Sequence, residues 1–177
     1  NLPSKWNDRL YMIGNGGLAG ESIDDAGRVG QKNAAITVGF AFAQTNTGHD
    51  ARKEPSGSFI LSNPQKAVDY AYRAVHLTAT TAKDIVKQYY GKPASKSYWN
   101  SCSNGGRQGL IEAQRYPEDF DGIVAGAPAI QFTGRAAQAV WIAQATHASP
   151  ESSVPAAKFA TVHNAVLAAC DILDGVK

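Results

Sequence analysis

The stretch NSCSNGGRQG, Asn100 to Gly109, holds the residues best suited to chemistry. Ser103 follows a cysteine, stands among small residues and precedes a helical pattern. A nucleophile elbow has the form G-x-S-x-G, because a serine on a strained strand-to-helix turn tolerates only small neighbours two residues away. Here the frame is Ser101-Cys102-Ser103-Asn104-Gly105, with serine in place of the first glycine. In this reading Ser103 is the nucleophile and the backbone N–H of Asn104 is one oxyanion donor, aided by the helix N-terminus. A second donor is expected from the glycine-rich loop GNGG, Gly14 to Gly17. The plainer alternative is a small-residue turn between a strand and a helix.

A serine nucleophile needs a histidine base and an orienting carboxylate, which in this arrangement follow it in the chain. After Ser103 come His147 and His163, with Asp119 and Asp121 before them. Asp121 opens the strand-like GIVA, at the wrong end of a parallel sheet for catalysis. Neither histidine has a glycine-rich or strand-end context; both lie in the helical region that follows Ala129 and read as surface or packing residues. His49 precedes the serine and suits a structural hydrogen bond near the pocket. Arg107 and Gln108 receive no chemical role, and Glu112 with Arg115 reads as a weak surface pair. Cys102 is the weaker nucleophile, since only the helix terminus would lower its pKa. A further open reading has Ser103 or Cys102 recruit His147 or His163, with a Cys102–Cys170 bridge.

The elements that must position these residues follow from patterning. Short apolar runs at Arg9 to Ile13, Ala35 to Ala43, Lys96 to Trp99 and Gly122 to Ala125 alternate with helical patterns at Pro64 to Tyr90 and Arg107 to Arg115. That alternation predicts an α/β domain with a mostly parallel sheet. Alanine-rich helical patterns from Ala136 to Thr146 and Ala156 to Ala169 follow, with no strand signal. The expected division is an α/β core over 1–129 and a separate helical layer, or lid, over 130–177.

The chain has 177 residues, 44% of them hydrophobic and 18% charged, with a net charge of +2. This is a globular composition with no electrostatic case for nucleic acid or an anionic membrane surface. No apolar run reaches the ~18 residues of a membrane span. The opening NLPSKWNDRL, without Met, and the closing CDILDGVK lead to the expectation of a fragment.

The block YWNSCSNGGRQGLIEAQRYPEDFDGIVAGAPA, with the upstream GNGGLAG and TNTGHD, closely resembles the tannase and feruloyl esterase family of serine esterases. The resemblance runs along nearly all of the chain. It implies an α/β-hydrolase fold with a lid inserted after GAPA, Ser103 as nucleophile, Asn104 as the following oxyanion position and the second oxyanion donor at Gly16 or Gly17. It implies a disulfide from Cys102 to the residue after the catalytic histidine, and a pairing of Cys170 with a cysteine beyond the lid loop, both partners outside this chain. It likens CDILDGVK to the start of a lid calcium loop, with carboxylates from Asp171 and Asp174 and a carbonyl from Val176. Calcium takes about six to eight oxygens, so this Ca²⁺ set is incomplete. Without the resemblance, two aspartates three apart read as solvated charges.

The resemblance further implies hydrolysis of small aromatic acid esters (gallic, hydroxycinnamic or related) through an acyl-enzyme, and export to an extracellular or periplasmic space. With acid and base missing, the chain alone is expected to turn over little. The alternative is a non-catalytic α/β binding domain that has lost its triad.

Overall fold

A computed structural model describes residues 1–61 and 63–174. It divides into two compact units, 1–130 and 131–177. In the first, four parallel strands form a sheet in the order β2-β1-β3-β4. These are β1 (Arg9–Met12), β2 (Ala41–Ala43), β3 (Lys96–Cys102) and β4 (Gly122–Gly126). Parallel neighbours require crossovers, and helices supply them: α1 (Ala26–Thr37), α2 (Pro64–Val68) running through a π turn into α3 (Ala74–Tyr90), and α4 (Asn104–Arg115).

Side chains alternate along a strand, so β1 feeds two cores. Leu10 and Met12 join Val75, Ala79 and Val86 of α3, with Trp99 and Phe120. Ile13 packs with Ala35 of α1 and Phe42, flanked by Tyr11 and Phe40. Trp99 of β3 also donates its indole N–H to the carbonyl of Gly105 at 3.1 Å, tying the sheet to the first turn of α4.

The long helical pattern from Pro64 to Tyr90 holds. Asn63 caps it by accepting from the N–H of Gln65, and Gly91 ends it in the left-handed region at φ 71°. Within it, Asp69–Arg73 widens into a π turn.

The expected strand from Ala35 to Ala43 is corrected. Its first residues close α1, whose glycines Gly27 and Gly30 weaken the helical signal. Gly39, at φ 96°, turns the chain before β2 begins at Ala41; a side chain there would meet the carbonyl of Lys5 at 2.7 Å. The strand containing GIVA is half-buried, with Val124 60% exposed, because β4 is the outer strand of the described sheet.

The second unit contains α5 (Phe132–Thr146) and α6 (Phe159–Asp174), joined through short 3₁₀ turns and without a strand among the described residues.

Candidate active site

Between β3 and α4 the chain turns sharply, and Ser103 sits on the turn at φ 61°, ψ −123°. A non-glycine residue held in such a region costs about 1–3 kcal/mol and persists only when its surroundings fix it. Three backbone bonds do so. The Ser103 N–H donates to Gly126 at 3.0 Å, and its carbonyl accepts from Arg107 at 3.1 Å and Ala129 at 3.1 Å. The turn is thereby fastened to β4, to α4 and to the loop after β4, while the side chain of Ser103 is exposed.

Small residues permit this packing. A Cβ on Gly105 would lie 1.9 Å from Ser101 Oγ and 3.2 Å from the Cα of Gly14; one on Gly106 would lie 2.4 Å from the carbonyl oxygen of Gly126. The serine at position 101 therefore fits, because position 105 carries no side chain.

The backbone N–H groups on the two segments expected to supply oxyanion donors differ in what they bond. Arg107 makes the first intrahelical bond of α4, so the amide of Asn104 is not consumed by the helix. The GNGG loop distinguishes its two glycines. Gly16 donates its N–H to Glu21 Oε1 at 2.5 Å and is engaged. Its carbonyl accepts from Ala19 at 2.8 Å; in a trans peptide that points the N–H of Gly17 the opposite way. Gly17, at φ 45°, keeps that N–H without an acceptor among the described residues.

Glu21 organises this loop. Its Oε2 accepts from Asn15 Nδ2 at 2.8 Å, and it pairs with Arg28. Burial works against its charge, but the bonds from Gly16 and Asn15, with Arg28 nearby, hold its carboxyl below the usual range. Gln108 of α4 grips the same loop, accepting from the N–H of Asn15 and donating to its side-chain oxygen, both at 3.0 Å. A groove of about 480 Å³ lies on the Cys102 side of the turn, lined by Gly16, Glu21, Arg28, Ser101 and Cys102 among others.

The buried face of α4 is polar. Arg107 lies inside, bonding Asn104 Oδ1 at 2.8 Å and the carbonyls of Tyr70 and Ala71 at 3.1 Å each. The expected surface pair of Glu112 and Arg115 is corrected: Glu112 is 1% exposed, whereas Arg115 lies over the ring of Tyr72. Burial, then the neighbouring Asp119, pushes the Glu112 carboxyl up to about 8. Oxygen and nitrogen atoms of Glu112, Asp119 and His76 converge within 4.8 Å, the only such metal-capable group among the described residues. His76 Nδ1 and Asp119 Oδ2 are already paired at 2.6 Å.

Asp121 accepts from the N–H of Ser97 and pairs with Lys96, both at 2.8 Å, at the end of the sheet opposite the turn. His49 is buried, stacked on Phe59 at 3.9 Å, with Nδ1 3.4 Å from Thr47 Oγ1. No histidine bonds Ser103 among the described residues. In the second unit His147 contacts the carbonyl of Ala143 at 2.9 Å, and it and His163 are exposed. Cys102 and Cys170 are exposed free thiols. Asp171 is half-buried on α6; the side chain of Asp174 and all of Val176 lie outside the described residues. Two carboxylates and one carbonyl do not by themselves fit calcium.

The tannase and feruloyl esterase family model matches residues 1–177. A probable feruloyl esterase B-1 of Aspergillus fumigatus is 40% identical over 175 residues, which cover 98% of this chain and 32% of that protein. A probable feruloyl esterase B-1 of Aspergillus oryzae is 38% identical, over 99% of this chain and 31% of its own length. The crystal structure of feruloyl esterase B from Aspergillus oryzae superposes with a TM-score of 0.82 at 38% identity, over 99% of this chain and 34% of that one. Tannin acyl hydrolase from Aspergillus niger, at 24% identity and a TM-score of 0.73 over 98% of this chain and 32% of its own, shares the fold. The chain thus spans about a third of the length of the relatives it matches. With its parallel sheet, its turn at Ser103 and these matches, the fold is that of an α/β-hydrolase, and the chain belongs to the tannase and feruloyl esterase family.

Proposed function

We propose that this chain is the nucleophile-bearing part of a secreted serine carboxylesterase acting on aromatic acid esters. The observation that carries the reading is Ser103, exposed at the tip of a strand-to-helix turn whose backbone is pinned on three sides. The names of the relatives support an aromatic acyl group.

Ser103 Oγ attacks the ester carbonyl carbon while a histidine outside these 177 residues takes its proton. The carbonyl oxygen becomes an oxyanion, held by the N–H groups of Asn104 and Gly17. Gly17 is preferred to Gly16, whose N–H is engaged by Glu21. The C–O bond to the alcohol breaks, the alcohol leaves with the proton from histidine, and water hydrolyses the acyl-enzyme. Each oxyanion donor is worth about 100- to 1000-fold in turnover.

The same proposal extends to the second unit as the beginning of a lid. It includes disulfides from Cys102 and Cys170 to cysteines elsewhere in the protein, and a structural Ca²⁺ for which Asp171 and Asp174 would be two ligands among others. Both thiols are exposed, which suits such pairing.

Hydrolysis of methyl ferulate by the full-length protein and by Ser103→Ala tests the function. The variant is expected to lose essentially all turnover, and the isolated 177-residue chain to show little. Undiminished hydrolysis by Ser103→Ala would overturn the reading, and no hydrolysis by the intact protein of any aromatic ester would favour a binding domain.

A further inference from the structure

The two oxyanion donors belong to segments far apart in the chain, Gly17 after β1 and Asn104 at the start of α4. One side chain touches both. Tyr70 Oη lies 3.3 Å from the carbonyl oxygen of Gly17 and 3.1 Å from Asn104 Oδ1. A phenol has one proton, so it donates to one acceptor at a time while lying against both. Burial pushes the Tyr70 phenol above its ordinary pKa, although Arg107 opposes this, so the donor proton is kept.

The rest of the surroundings aim this hydroxyl. Tyr70 is 8% exposed and sits on the π turn of Asp69–Arg73, a feature frequent at functional sites. Its ring packs between Phe59, at 5.6 Å, and the Arg107 guanidinium, 4.6 Å from the ring centroid. Arg107 grips the carbonyls of Tyr70 and Ala71 on that turn and Asn104 Oδ1 on α4, so both ends of the Tyr70–Asn104 contact share one brace. An oxyanion site works only when its donors converge within about 0.5 Å of their productive positions.

We propose that Tyr70 is a positioning residue for the oxyanion site, its hydroxyl holding the Gly17 loop and the Asn104 turn at a fixed separation. The inference rests on the serine-esterase reading and names a residue that touches neither substrate nor nucleophile.

Tyr70→Phe in the full-length protein tests it, because the ring contacts remain and only the hydroxyl is lost. With methyl ferulate, kcat falls about tenfold and KM stays within about twofold, the signature of an interaction made in the transition state. Affinity for phenylboronic acid, whose boron accepts the Ser103 oxygen to form a tetrahedral anion, weakens by a similar factor, whereas affinity for ferulate is unchanged. Arg107→Lys, which loses the planar contacts and keeps the charge, gives the same pattern should Tyr70→Phe not fold. A folded Tyr70→Phe with unaltered kcat, or with boronate affinity retained, would overturn the proposal. Activity surviving in Ser103→Ala removes the esterase reading itself; an inactive Ser103→Ala beside a fully active Tyr70→Phe removes only the role of Tyr70.

Discussion

Gln108 and Asn15 close a two-bond ring across the fold: the Gln108 side chain accepts from the Asn15 N–H and donates to its side-chain oxygen, each at 3.0 Å. Both residues are buried, and the ring joins the helix behind Ser103 to the loop of Gly16 and Gly17. Gln108→Leu strands the donor and acceptor of Asn15. Each unsatisfied buried group costs about 1–3 kcal/mol, so the variant unfolds at lower urea and loses turnover. Urea titration of Gln108→Leu beside wild type checks this.

Gly105 offers a sharper test of the turn. Gly105→Ala brings a methyl group to 1.9 Å from Ser101 Oγ, a clash expected to cost about 1–3 kcal/mol or more. Removing the obstructing side chain should return much of that loss, because the next obstacle is the Cα of Gly14 at 3.2 Å. The prediction is a favourable coupling in the Ser101→Gly, Gly105→Ala double variant, measured by thermal unfolding of the four proteins.

Glu112 sets a pH dependence. Its folded-state pKa of about 8 lies above the ordinary 4.5, so the native state binds the extra proton between these values. Stability from this group is therefore full below about pH 4.5, falls as pH rises, and is lost above about pH 8. Glu112→Gln should remove that slope and gain on wild type as pH increases from 5 to 9, by on the order of a few kcal/mol. Chemical denaturation at several pH values reads it directly, and parallel curves would contradict it.

Glu21 acts in the opposite direction. Its carboxyl is held below its ordinary value, so its contribution is present above about pH 4.5 and is lost as pH falls through the lowered pKa. Glu21→Ala frees the N–H of Gly16 and the side chains of Asn15 and Arg28 together. We expect kcat in the full-length protein to fall at least about tenfold, by analogy with a displaced oxyanion donor, with the loss carried by the Gly16–Gly17 loop. Steady-state kinetics at neutral pH measures this.

The sequence made the turn at Ser103 legible because its geometry restricts which residues can stand at 101, 103 and 105. Strand β1 and the long helix ending at Gly91 were legible through periodicity and a terminal glycine. Helix α1 was not, since Gly27 and Gly30 depress its helical signal and Ile36, Val38, Phe40 and Phe42 imitate a strand across a helix end and Gly39. The inner face of α4 also escaped, because the pattern gives Arg107 and Gln108 no role and takes Glu112 for half of a surface pair. Their partners, Tyr70, Asn15 and Asp119, come from other segments, and only the folded chain brings them together. Nothing in the pattern from Pro64 to Tyr90 marks Tyr70, whose hydroxyl meets Gly17 and Asn104 only in the folded chain.

Trapping the acyl-enzyme tests most directly whether Ser103 is the nucleophile. The full-length protein, quenched in acid seconds after mixing with 4-nitrophenyl ferulate, is digested and the peptide containing Ser103 is weighed. A feruloyl mass increment is expected on Ser103 and is absent in Ser103→Ala. An increment on another residue, or rapid hydrolysis with Ser103 never modified and Ser103→Ala fully active, would contradict it.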